Sequence, residues 1–78
     1  MGNNSNVMSM KKGEKGIIRA LDMSKPQRTR KLMALGILPG MQVGVIQRFP
    51  TWVLQVGNTQ VALDDDCASC IMVDKMQQ

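Results

Sequence analysis

Histidine and tyrosine are absent from this chain, and it holds one tryptophan, one phenylalanine and two cysteines. Without histidine, no Ser-His or Cys-His nucleophile pair can be assembled, and no zinc site can use imidazole. Acid–base chemistry near neutral pH falls to Glu14, five aspartates, the lysines and two thiols, which argues against an enzyme. No apolar run approaches the ~18 residues of a membrane span, and no secretory signal pattern opens the chain. The expectation is therefore a cytoplasmic protein without membrane insertion. Two cysteines do not build a disulfide-dense scaffold. Gly2 is followed by Asn6 where a myristoylation motif takes Ser or Thr. The 78 residues support one small domain with a thin core. Enclosed ligand pockets typically need ~300 Å³ or more, so no cofactor is expected.

Charge is present but unevenly spread. Lys11 to Arg48 contains nine basic and two acidic residues, whereas Phe49 to Gln78 contains one basic and four acidic. The net charge of +4 thus hides a basic first half and a mildly acidic second half. Such asymmetry bears on partners and not on fold. The opening MGNNSNVMSM is polar, uncharged and aperiodic, so residues 1–10 read as a flexible tail from which Val7 or Met10 could dock. Residues 11–75 read as the domain.

Within the domain, Ile17, Ile18, Ala20 and Leu21 form an apolar run around Arg19, a strand pattern. Ser24 and Gln27 have capping-box spacing, with Pro26 in the first turn. The spacing predicts a helix from Lys25 to about Leu35, with Leu32 and Leu35 on the buried face. Gly36 suits the left-handed position that ends a helix, and Leu38–Pro39–Gly40 suits a type II turn. Met41, Val43 and Val45 alternate with Gln42, Gly44 and Ile46, and Trp52, Leu54 and Val56 alternate in the next strand. Gly57–Asn58 is a favoured hairpin loop before Thr59, Val61 and Leu63. One of Asp64, Asp65 and Asp66 is placed to cap a short helical turn through Cys67 to Cys70, and Ile71 to Val73 reads as a last strand. The fold class is mainly β: about five short strands with one α-helix inserted after the first. Short strands with glycine turns need a closed or nearly closed sheet to hide their edges, so a small barrel is expected.

Two blocks carry a family resemblance. LMALGILPG (Leu32 to Gly40), followed by VGVIQR (Val43 to Arg48) and TQVALD (Thr59 to Asp64), resembles the ferrous iron transport protein A (FeoA) family. Ala68, Ile71 and Val73 match its downstream A-x-x-I-x-V pattern. The connection Phe49–Pro50–Thr51–Trp52 is more abrupt than the glycine- and proline-containing one common in that family. The resemblance implies an SH3-like barrel. It also implies a cytoplasmic accessory of a membrane ferrous iron transporter, docking on the transporter's soluble GTP-binding part and modulating it.

The candidate partner-binding residues are Arg28, Arg30 and Lys31 on the helix, Ile37, Leu38 and Pro39 in the turn, and Trp52 as a rival anchor. Charge beside an apolar anchor is a common recipe for recognition, and Leu38 is expected outward with Ile37 inward. The competing reading of the turn is a helix end that only packs back on itself. A second reading of the whole chain is a small basic SH3-like regulatory or nucleic-acid-binding module. Nucleic acid is not expected, because Phe49 and Trp52 are the only stacking rings. Cys67–Ala68–Ser69–Cys70 is a lone C-x-x-C. It reads either as a metal or redox pair or as buried small hydrophobes, and burial is preferred because a closed site needs about four ligands. Met23, Met33, Met41 and Met72 read as core filling.

Overall fold

The computed structural model describes residues 5–76. The alternating apolar positions become strands as their period of two requires, and a six-stranded antiparallel sheet results. In chain order the elements are β1 (Ser5–Asn6), a 3₁₀ turn (Val7–Ser9), β2 (Lys15–Leu21), α1 (Pro26–Ala34), β3 (Gln42–Gln47), β4 (Trp52–Val56), β5 (Thr59–Leu63), α2 (Asp65–Ala68) and β6 (Ile71–Lys75). In space the strands run β1-β6-β2-β3-β4-β5. Val43 and Val45, Trp52, Leu54 and Val56, Val61 and Leu63, and Ile71 and Val73 all turn inward and are buried. Register shifts fall between Ile18 and Ala20 in β2 and between Val45 and Gln47 in β3. An extra residue in one strand sharpens its bend and twist, so these two irregularities curl the sheet around its apolar face. Among the described residues, no helix is long and apolar enough to cross a membrane.

The expectations for the sheet, the tail and the helix cap are corrected. Among the described residues the sheet has six strands and does not close by backbone pairing: β1 and β5 are its two edges. Residues 5–10 are not a flexible tail. Ser5 and Asn6 pair with Val73 and Met72, and the 3₁₀ turn stacks Val7 and Met10 on one side, where both are fully buried. The Asn6 side chain accepts from the Met8 N–H at 2.9 Å and donates to the Ser69 carbonyl. Residues 1–4 of the expected tail lie outside the described residues. The capping box also does not form: the Ser24 hydroxyl and N–H both go to Asp22 Oδ1, at 2.6 and 3.0 Å. Lys25 occupies the N-cap without a side-chain bond, and Thr29 Oγ1 instead ties the first turns to the Asp22 carbonyl at 2.7 Å.

The other end of α1 follows its sequence closely. Gly36 has φ +87°, its N–H meets the Met33 carbonyl at 2.9 Å, and the Ile37 N–H meets the Leu32 carbonyl at 3.0 Å. These two bonds are the Schellman pattern, which brings the residue after the glycine back against the helix's last turn. Ile37 and Leu32 are both fully buried as a result. Leu38–Pro39–Gly40–Met41 then turns with a 3.1 Å bond from the Met41 N–H to the Leu38 carbonyl and φ +94° at Gly40. Leu35, expected in the core, is 41% exposed. It is the C-cap at the very end of α1, still bonded to the Lys31 carbonyl at 3.2 Å, and its side chain lies at the rim of the buried face that Leu32 occupies.

Gly36 thus separates conformational from packing effects. A Cβ there meets nothing within 4 Å, so Gly36→Ala should lose about 1–2 kcal/mol through left-handed backbone strain alone. Leu32→Ala should lose about 2–5 kcal/mol through its cavity, and Leu35→Ser should remain folded. Urea denaturation of the three variants checks this order; an unfolded Leu35→Ser would contradict it.

Candidate interaction face

The expected contact residues divide sharply on burial. Ile37 is fully buried and Trp52 is 4% exposed, so neither presents a surface. Trp52 instead ties β4 to α2: its indole N–H donates to Asp65 Oδ1 at 2.9 Å, while the Arg48 guanidinium sits 5.1 Å from the ring centroid. Arg48 also donates to the Met8 carbonyl at 3.1 Å, which occupies it structurally.

Leu38, at 43%, and Pro39 are exposed, and their neighbours enlarge the apolar surface. Met23 is 69% exposed, and Met33 and Leu35 are about two-fifths exposed. The expectation that Met23 and Met33 fill the core is therefore corrected. Met33 lies seven residues after Pro26 and three after Arg30, so helical spacing puts these side chains on one flank, where they line a shallow depression with Met23 and Thr29. Among the described residues, four of the seven exposed large hydrophobics fall between residues 23 and 38, so apolar surface is concentrated at this end. Sequence reasoning missed Met23, Met33 and Leu35. The polar surroundings of Met23 were the available signal.

The three basic helix residues do not share one face. At 3.6 residues per turn Arg28 and Lys31 stand together, and Arg30 points roughly 160° away from Arg28. Arg28 meets Asp66 at 3.5 Å, with both side chains well exposed to solvent, so the pair adds little stability. Lys31 lies on the same flank, and both cations favour the charged form of Asp64. Arg30 is the basic residue beside Met23 and Met33.

The three aspartates have three separate tasks. Asp64 caps α2, accepting from the Cys67 N–H at 2.8 Å, and that hydrogen bond holds its carboxyl below the ordinary value. Asp65 receives Trp52, and Asp66 receives Arg28. Cys67 and Cys70 are both free and buried. Burial pushes the Cys67 thiol up, and the Cys70 thiol lies 3.5 Å from the Asp66 carbonyl. A buried thiol with a raised pKa is a poor nucleophile and a poor ligand. Among the described residues, no group of three or more histidine, cysteine, aspartate or glutamate side chains converges to hold a metal ion.

The FeoA domain model matches residues 6–75. Over 70 residues the chain is 36% identical to Fe(2+) transport protein A of Leptolyngbya boryana, spanning 88% of this chain and 85% of that one. A crystal structure of an iron uptake regulatory protein (FeoA) superposes with TM-score 0.80 at 25% identity, covering 91% of this chain and 95% of that chain. The zinc-complexed FeoA of Stenotrophomonas maltophilia, described as a procaryotic SH3 domain protein, gives 0.76 at 22%, covering 90% and 89%. A manganese-dependent transcriptional repressor gives 0.87 at 18%, covering 97% of this chain but 44% of that one. The last two likenesses concern the fold alone. They make the open, curled sheet SH3-like.

The lowered Asp64 value has a pH consequence. Its capping contribution is fully present above the ordinary carboxylate value of 3.8 and is lost as pH falls through the lower folded value. Thermal unfolding followed from about pH 5 to about pH 2 should show the wild-type Tm falling more steeply than that of Asp64→Asn, which keeps an acceptor but cannot titrate. Parallel curves would remove Asp64 from the account. Asp22, also lowered by its bonds to Ser24, leaves a residual slope in both proteins.

Proposed function

The chain belongs to the FeoA family, associated with ferrous iron transport, and from that membership we propose that it is a cytoplasmic accessory of ferrous iron uptake. It docks on the soluble GTP-binding part of a membrane ferrous iron transporter and modulates it there. Iron is the transporter's cargo in this reading and needs no site on this chain. No chemistry is asked of the chain either, which agrees with a donor set lacking histidine.

One observation supports the docking surface: Met23, Met33, Leu35 and Leu38 are exposed together with Lys25 and Arg30 around α1 and the turn that follows it. Residues 19–40 carry five basic side chains against the single acid Asp22. Desolvating the methionine and leucine tips supplies affinity, and the basic residues steer approach and set orientation. The rigid Gly36-to-Gly40 segment presents Leu38 without an ordering cost, because two backbone hydrogen bonds and the buried Ile37 already fix it. The partner surface should therefore be acidic with an apolar recess. Arg28 contributes less, since it already faces Asp66.

Calorimetric titration of the transporter's isolated GTP-binding domain, with and without nucleotide, tests this. Leu38→Ser should weaken binding at least tenfold, about 1.4 kcal/mol, while leaving thermal stability near wild type. Arg30→Ala should weaken binding less and reduce its salt dependence. A folded Leu38→Ser protein that binds like wild type would remove the turn from the interface. No binding in any nucleotide state would remove the docking reading itself.

A further inference from the structure

The two edges of the sheet are treated differently. An edge strand exposes unpaired backbone groups, and proteins usually blunt it by shortening it or by adding charge, proline or a bulge. At one edge β1 spans two of the described residues, and its neighbour β6 ends in Asp74 and Lys75. At the other edge, β5 has no charge, no proline and no bulge, and all five residues keep unbroken register with β4. Hydrogen-bond parity shows which groups it leaves bare. The Gly57 N–H reaches the Gln42 carbonyl at 3.2 Å, so Gly57 and Gln55 turn their backbone toward β3. Val56 and Leu54 therefore turn theirs toward β5, where they face Thr59 and Val61. Gln60 and Ala62 are left with N–H and C=O directed away from the sheet. Both residues are exposed, and by this parity neither backbone bonds to β4, while strand pairing ends at β5 among the described residues.

We propose that β5 is a self-pairing edge. A second copy of this chain lays its own β5 antiparallel alongside, with the two-fold axis at Val61, and the sheet continues across the pair. Gln60 of each copy then exchanges both backbone hydrogen bonds with Ala62 of the other. Charge selects both the direction and the partner. Asp64, Asp65 and Asp66 follow β5 at one end, whereas Gly57 and Asn58 precede it without charge. Parallel pairing would bring the two aspartate runs together. Antiparallel pairing separates them and sets each Asp64 opposite the other copy's Asn58. Lys15, on β2, lines the same surface depression as Asn58 and makes no ion pair among the described residues, so a free cation stands on the side of the molecule where the other copy's Asp64 arrives. The face that carries Leu38 is not used, so the pairing is independent of the docking reading.

Sedimentation of the full chain over micromolar to millimolar concentration, combined with amide hydrogen exchange, tests this. The wild type should pass reversibly from monomer to dimer, and the Gln60 and Ala62 amides should exchange more slowly as dimer accumulates. Ala62→Pro removes an N–H that β4 does not use, so the fold tolerates it and the dimer is lost. Ala62→Lys should raise the dissociation constant at least tenfold, and it keeps the test open should the proline variant misfold. A wild type monomeric throughout would overturn the proposal. So would a folded Ala62→Pro dimer, or a dimer whose Gln60 and Ala62 amides stay unprotected.

Discussion

The pairing of Leu32 with Ile37 is the contact on which the rest of the molecule depends. A curled sheet of short strands has a wide mouth, and this chain has almost no aromatic side chains with which to fill it. Helix α1 fills it with Leu32 from its last turns and with Ile37 from beyond its end. The left-handed Gly36 makes this geometry possible by reversing the chain within one residue. Burying two full aliphatic side chains stabilises by roughly 3–6 kcal/mol, a large share of a small domain's net stability. The same reversal throws Leu38 outward, so the stability of the core and the presentation of the apolar surface come from one structural event.

Much of the fold was legible in the sequence because its signals were local. Glycine at the helix end, Pro39–Gly40 in the turn and Gly57–Asn58 in the hairpin each dictate a backbone shape, and each acts in the structure where it stands in the sequence. Alternation likewise identified the inward residues of β3, β4 and β5. What escaped was set by partners distant in sequence. Val7 and Met10 were the tail residues with an apolar side chain to dock, but the segment's strand pairing and its burial against β6 and α2 depend on partners that MGNNSNVMSM does not record. Ser24 and Gln27 had the spacing of a capping box, but Asp22 competes for the Ser24 hydroxyl from two residues away.

The candidate site was only half legible for the same reason. Leu38 outward and Ile37 inward followed from the geometry of a glycine-ended helix. Trp52 did not: a lone tryptophan reads as an exposed anchor until the Asp65 carboxylate and the Arg48 guanidinium are seen to enclose it. Arg28, Arg30 and Lys31 read as one basic group in sequence. The helix divides them, giving Arg28 and Lys31 to the aspartates near α2 and Arg30 to the exposed methionines. The two cysteines, suggestive as a C-x-x-C, are core residues, Cys67 on α2 and Cys70 just after it.

The structure thus separates an apolar, basic end around α1 from a neutral strand edge at β5. That division is the central claim, and a methyl and amide NMR footprint of the transporter's GTP-binding domain on the isotope-labelled chain tests it most directly. The account predicts perturbation of the Met23, Met33, Leu35 and Leu38 methyls and the Gly36 and Gly40 amides, with Gln60 and Ala62 unchanged. A footprint centred on β5, leaving the Leu38 methyls unmoved, would contradict it.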